Sequence, residues 1–350
     1  LEMIKQLSLI GGPSGREENV RKYIISKLPE SAEYSVDAMG NLLVFAKGKK
    51  PAKNKVMLAA HMDEVGFIIK DIDGEGYIRF GCLGGIDSRV LCGRKVTFRG
   101  KDGDVSGVIA SKAIHHQSAE ERKNATKASD MYVDIGATSR EDAESVLSKG
   151  DSGTFDSEFV IFGENDAYAK CKALDDRLGC VVMIEILRKL KEENIELPFD
   201  LVCAFTCREE LGISGARTAA HLIDPTHALI FESTAVADIC GTAPHTTVAK
   251  QGDGPAISLM DRSTIYDKDL TELVLSTGKE EDIPCQIKKY ISGGNDAGHI
   301  HKSRAGVRCC VMSIPSRYIH TASNVIRAED YTSTYRLALA SIKKLSESEK

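Results

Sequence analysis

The sequence predicts an α/β fold: a three-layer αβα domain interrupted by an all-β, small-barrel insert. Three observations predict it. Apolar strand-like runs alternate with helix-periodic segments at both ends of the chain. Between them, residues 66–162 are short strands broken by Gly and Asp, the texture of a small barrel. The length, 350 residues, admits more than one folding unit. The expected division is therefore 1–65 plus 163–350 for one domain and 66–162 for the insert.

Helix signals come first. Ser14 stands three residues before Glu17, a capping-box spacing, and an apolar stripe from Val20 through Leu28 follows until Pro29. Residues 41–47 read as a strand. Residues 55–60 are apolar almost throughout, as a buried central strand is. The middle texture then supplies strands at 67–70, 77–80, 95–99, 105–110, 131–135 and 159–162. Turns such as Asp73-Gly74, Gly84-Gly85 and Asp102-Gly103 separate them. The polar stretch 117–129 reads as a loop. From about Tyr168 the α/β rhythm returns: a helix at 175–191, a strand at 200–206 and a short helix at 215–222. Strands at 228–231, 256–259, 285–290 and 307–314 follow, and an amphipathic helix at 330–345 closes the chain, with a frayed tail after Leu345.

Composition narrows the function classes. Lys and Arg number 46 against 51 Asp and Glu, a net charge of −5, so no basic excess is available to neutralise phosphates. A nucleic-acid partner is not expected. No run approaches 18 apolar residues, so no membrane span is expected either. The ten cysteines form no C-x-x-C pair, and adjacent Cys309 and Cys310 are badly placed to bond each other. Reduced thiols, with no basic-then-apolar leader in 1–11, predict a cytoplasmic protein.

The residues that can carry chemistry stand where strands end, which is where open α/β sheets place their sites. His61 and Asp63 follow the strand at 55–60 and share one side of an extended segment. Asp175 and Asp176 stand where a helix begins. One of them is explained by capping, the pair less well. Glu209 and Glu210 follow the strand at 200–206, and adjacent acids there repel unless something positive sits beside them. Glu232 ends the strand at 228–231, and His320 follows the strand at 307–314. Each is ordinary alone. Together, two imidazoles and three carboxylates suit a pair of divalent metals that activate water.

Other groupings are weaker. Cys203 and Cys207 with His221 or His227 resemble a zinc set, but Cys203 lies inside an apolar strand and buried thiols are the better reading. No G-x-S-x-G elbow occurs, because Ala216 stands where Ser214 would need the second glycine. His115 and His116 are either surface residues of the insert or reach another subunit. The Gly-rich run 293–298 is a tight turn; Gly294 and Asp296 are its candidate substrate contacts, with a plain turn as the alternative.

Taken in order, these motifs resemble the M42 family of metallo-aminopeptidases, over essentially the whole chain. The resemblance rests on Ala-Ala-His61-Met-Asp63-Glu-Val-Gly, Ala-Leu-Asp175-Asp-Arg, Arg-Glu209-Glu210-Leu-Gly, Ala-Asp-Ile-Cys-Gly-Thr at 237–242, Gly-Gly-Asn-Asp-Ala-Gly at 293–298 and Ser-Arg-Tyr-Ile-His320. It implies that His61, Asp175 and Glu232 hold one metal ion, and Asp175, Glu210 and His320 a second. Asp175 then bridges, Glu209 is the general base for a dinuclear metal-bridged water, and Asp63 orients His61. It also implies two divalent ions per subunit, zinc or cobalt, with manganese tolerated. The β-rich insert is implied to serve dimerisation, and the dimers to assemble into dodecamers. One position departs from the pattern: Glu232 stands where many members have Asp.

The resulting expectation is an aminopeptidase that releases N-terminal residues from short peptides. A two-metal deacylase or carboxypeptidase would use the same ligands and differ in rejecting or accepting a blocked amine. A vestigial assembly protein fits poorly with a complete ligand set plus Glu209. A glycosidase needs two carboxylates but not these histidines.

Overall fold

In the computed structural model, which describes residues 1–49 and 54–348, the chain forms one large mixed sheet and one closed barrel. Four strands make the sheet's parallel centre, in the order Asp200–Thr206, Lys55–His61, His227–Ala235 and Arg308–Arg317. Antiparallel strands flank them. Leu42–Ala46 and Glu33–Val36 lie on one side; Asn324–Arg327, Tyr168–Cys171 and Val160–Phe162 lie on the other.

Period-two alternation divides each central strand between two cores. Val56, Leu58 and Ala60 face the layer built from helices Glu2–Leu9, Glu18–Lys27, Leu174–Glu192, Lys268–Glu280 and Ala328–Ser348. Met57 and Ala59 face the opposite layer, built from Ser214–Ile223 and Ala297–Ile300. A strand buried on both faces must be apolar at every position. That is why residues 56–60 read as an unbroken apolar run.

The closed barrel takes six strands, Gly66–Leu83 and Lys95–Phe155 supplying all of them, around a core that includes Phe67, Phe80, Phe98 and Phe155. Phe67 packs edge-on to both Phe80 and Phe155. The strand expected at 159–162 was grouped with the insert, but Val160–Phe162 joins the large sheet.

Several local readings are corrected. Ser14 is no helix cap: its hydroxyl donates to Asp63, and Glu18–Lys27 begins with no side-chain cap. Helices Glu2–Leu9, Arg140–Val146 and Lys268–Glu280 were not read from the sequence, nor were strands Glu33–Val36, Ser152–Phe155, Tyr168–Cys171 and Asn324–Arg327. The missed strands are only four residues each, and Glu33–Val36 is exposed along its length, so they carry too little periodicity to detect. The last helix continues to Ser348, past the expected fraying point; residues 349 and 350 lie outside the described residues.

Candidate active site

The site lies at the carboxyl ends of the parallel strands. His61 ends Lys55–His61 and sits opposite Thr206 in register. The chain beyond Thr206 therefore turns directly beside His61. Gly215 lets that turn close: a Cβ there would stand 2.2 Å from the Cys207 carbonyl oxygen. Cys207 also donates its amide to Asn41 Oδ1 at 3.0 Å.

Asp63 organises the turn. Fully buried, it accepts the Glu209 amide on Oδ1 at 2.9 Å and the Glu210 amide on Oδ2 at 3.1 Å. The Ser14 hydroxyl donates to Oδ2 at 2.6 Å. Burial opposes its charge, but the adjacent His61 and these donors hold the carboxyl below its usual range. So the residue expected only to orient His61 also anchors both glutamates.

The two adjacent aspartates divide the work. Asp176 Oδ1 accepts the Gly179 amide at 3.1 Å and caps the regular helix. Asp175 and Asp176 both have non-helical backbone angles, which turns Asp175 away from the helix and toward the histidines. Its Oδ1 is 3.3 Å from His61 Nε2 and its Oδ2 is 3.3 Å from His320 Nε2. Glu232 Oε1 lies 3.6 Å from His61 Nε2, and Glu210 Oε1 lies 3.3 Å from His320 Nε2.

The tautomers follow from the partners. His61 Nδ1 is 3.1 Å from the Asp63 carbonyl oxygen, and His320 Nδ1 is 2.7 Å from the Gly85 carbonyl oxygen. A carbonyl only accepts, so each Nδ1 donates, and in the neutral ring each Nε2 presents its lone pair to the carboxylates. Gly85 belongs to the insert's Gly84-Gly85 turn, so the barrel reaches the site through its backbone.

The electrostatics call for cations. Burial pushes Glu210 up to about 8, with His320 pulling down and Asp175 pushing up. Burial and Asp175 push Glu232 up to about 7. Burial also raises Glu209 well above its ordinary range, opposed by His61 and reinforced by Glu232 and Glu210. Against burial, Asp175 and Glu210 hold His320 up at about 10. Asp175 Oδ1 is buried without a hydrogen-bond partner among the described residues. One oxygen or nitrogen each from His61, Asp175 and Glu210 lie within 4.8 Å of one another, as do those of His61, Asp176 and Glu232. The chemistry and spacing of these donors fit divalent metal ions.

Other candidates fall elsewhere. Asp296 is buried under the strand end, where it accepts the Thr206 hydroxyl, and burial pushes it up to about 6. Gly294 packs toward Ser263. Neither belongs to the groups clustered at ligating distance. Cys203 and Cys207 are buried thiols, while His221 is exposed on its helix. His115 and His116 sit on an exposed turn of the insert. A buried trio behind the site went unread: Glu64 accepts Lys172 at 2.7 and 2.9 Å and Arg177 at 3.4 Å. Arg177 also donates to the carbonyls of Leu7, Ile10 and Gly12, tying the first helix and its following loop to the strand end. Lys172 and Arg177 flank Asp175 in sequence, the one available signal.

The M42 glutamyl aminopeptidase family matches residues 40–337. The lysyl aminopeptidase of Pyrococcus furiosus is 31% identical over 360 residues, spanning 98% of this chain and 97% of that protein. The crystal structure of the TET aminopeptidase from the marine sediment archaeon Thaumarchaeota archaeon SCGC AB-539-E09 superposes with a TM-score of 0.94 at 39% identity, covering 99% of this chain and 97% of the other. The TET1 peptidase of Pyrococcus horikoshii, described as assembling into a tetrahedron or a large octahedral shell, gives a TM-score of 0.86 at 34% identity, covering 97% and 98%. The chain belongs to the M42 glutamyl aminopeptidase family.

Proposed function

We propose that this metal-dependent aminopeptidase removes N-terminal residues from short peptides at the His61–Asp175–His320 centre. The observation that carries the reading is Asp175, whose two oxygens face two different imidazoles at equal distance. His61, Asp175 and Glu232 would hold one divalent ion and Asp175, Glu210 and His320 a second; zinc, cobalt and manganese all accept these ligands. When bound, such ions supply Lewis acidity, which acidifies water and polarises a carbonyl.

The chain's own residues do the rest. Glu209 takes the proton of the attacking water on its carboxylate and later hands it to the departing amine. Its burial suits it to hold that proton at neutral pH. Asp63 keeps Glu209 in place through the backbone amide, and holds His61 in the tautomer that leaves Nε2 open. The extra methylene of Glu232, relative to an aspartate, lets its carboxylate reach His61 from a residue inside a strand that continues to Ala235.

The inserted barrel, as a unit separate from the domain built by both chain ends, would serve dimerisation, and dimers would build a dodecamer. Support comes from the similarity to peptidases that form tetrahedral shells. All ten cysteines are free thiols, which supports a cytoplasmic enzyme. The test is a matched pair of peptides, one free and one N-acetylated, incubated with metal-loaded wild type and Glu209→Gln. Only the free peptide should be cut, and only by wild type. Cleavage of the acetylated peptide, or full activity in Glu209→Gln, would overturn the proposal.

A further inference from the structure

A groove of about 750 Å³ opens on the layer built from helices Ser214–Ile223 and Ala297–Ile300, and none of its walls is a candidate metal ligand. Small-molecule sites occupy roughly 300–1,000 Å³, so the groove has the volume of one. Both helices turn apolar residues to the sheet: Ala216, Ala220, Ala297 and Ile300 lie in the core beneath them. Their basic residues are left to the groove. Arg217 and His221 stand four apart on the first helix and share a face. His299 lies on the second helix, Lys302 in the turn after it, and Arg304 completes the wall.

Nothing in the chain neutralises this set. Among the described residues none of the five is paired with a carboxylate. Arg304 gives Nε and Nη2 to the His221 carbonyl oxygen at 3.2 and 2.9 Å, which occupies donors but balances no charge. The acid in the wall, Asp37, is engaged by its own turn: Oδ1 accepts the amides of Met39, Gly40 and Asn41, and Oδ2 accepts the Asn41 carboxamide. Burial, Lys302, Arg217 and His301 all push His299 below its ordinary range, so like charges face each other across the groove. A concave surface of one sign concentrates ions of the other. Guanidinium forks match phosphate oxygens two at a time, and an ammonium adds a point charge. Met39 and the largely exposed Leu222 give the same groove an apolar side. An acidic peptide would spread its carboxylates along an extended chain, whereas these cations converge on one compact hollow.

We propose that this groove binds a small organic phosphate with two or more negative charges, of the size of a nucleoside diphosphate. Arg217, Lys302 and Arg304 hold its phosphates, and Met39 and Leu222 meet its organic part. The site is distinct from the metal centre and stands whether or not the peptidase reading does.

The test is calorimetric titration of adenosine diphosphate into the chelator-treated full chain at fixed ionic strength, so that no metal ion bridges ligand and protein. Inorganic pyrophosphate and a tetraglutamate peptide are titrated beside it. Adenosine diphosphate should saturate one site per chain and bind more tightly than either. Arg217→Gln and Lys302→Gln should each weaken it about tenfold, the loss expected for one charge-assisted hydrogen bond. Lys70→Gln, at an exposed lysine of the barrel, should leave it unchanged. Leu222→Ser should weaken adenosine diphosphate a few-fold and leave pyrophosphate as it was. No saturable binding, an equal loss in Lys70→Gln, or tetraglutamate binding as tightly would each overturn the proposal. So would pyrophosphate matching adenosine diphosphate, because the apolar side would then contribute nothing. The substituted side chains are at the surface, and if one variant does not fold, the other basic position decides.

Discussion

Asp63→Asn is the most informative single change, because Asp63 joins the histidine to both glutamates. Three donors converge on its carboxylate: the Glu209 amide at 2.9 Å, the Glu210 amide at 3.1 Å and the Ser14 hydroxyl at 2.6 Å. Asparagine keeps one acceptor oxygen and replaces the other with NH2. If the NH2 takes the Oδ1 position, it meets the Glu209 N–H; if it takes the Oδ2 position, it meets the Glu210 N–H. The Ser14 hydroxyl can rotate and accept, but a backbone N–H cannot. One buried amide therefore loses its partner in either orientation, and the remaining bonds lose their charge. The cost is about 2–3 kcal/mol of stability. Displacing groups that orient metal-site residues lowers activity about 10- to 100-fold. Ser14→Ala removes one donor and leaves both amides bonded, so it should cost about 1 kcal/mol and lower activity no more than a few-fold. Thermal melting and kcat/KM on an aminoacyl chromogenic substrate measure both variants. An Asp63→Asn with wild-type melting and activity, or a Ser14→Ala equally damaged, would refute the anchoring role.

Three further outcomes are expected. Arg177→Met leaves Glu64 to Lys172 and the Gly12 amide and takes the side-chain donor from the Leu7 carbonyl, so it should destabilise by about 2–3 kcal/mol in chemical denaturation; a loss under about 1 kcal/mol would show that the trio is dispensable. Burial holds Asp330 up at about 6 against an ordinary 3.8, despite the Gly252 and Gly254 amides, so the folded state binds this proton more tightly than the unfolded one. Its contribution is full below pH 4, falls as pH rises through 4 to 6, and is flat above; Asp330→Asn should remove that component from the pH–stability profile. Metal binding must displace the protons that burial keeps on Glu232, up at about 7, and Glu210, up at about 8. Affinity for added zinc or cobalt, read by calorimetry on chelator-stripped protein, should therefore rise between pH 6 and 9; a pH-independent affinity would contradict this ligand set.

Much of the site was legible because strand ends in an α/β sheet are read directly from apolar runs. Residues 56–60 are apolar because both faces are buried, so His61 and Asp63 stand out where the run stops. The same holds for Glu209 and Glu210 after Thr206. Asp175 and Asp176 were visible as a pair, but their division was not: only the backbone turn shows that Asp176 caps while Asp175 faces the imidazoles.

By itself, then, the sequence determined the fold class, the barrel's presence and the residues at each strand end, because these depend on local periodicity and on residue type. Tertiary structure alone decided which groups lie behind them. Ser14 is 49 positions from Asp63 and Gly85 is 235 from His320. No local pattern encodes such partners; they are set by packing the N-terminal loop and the barrel turn against the carboxyl ends of the parallel strands. Ser14 was misread as a helix cap for that reason. A hydroxyl three residues before a glutamate suits either role, and the closer buried carboxylate takes it.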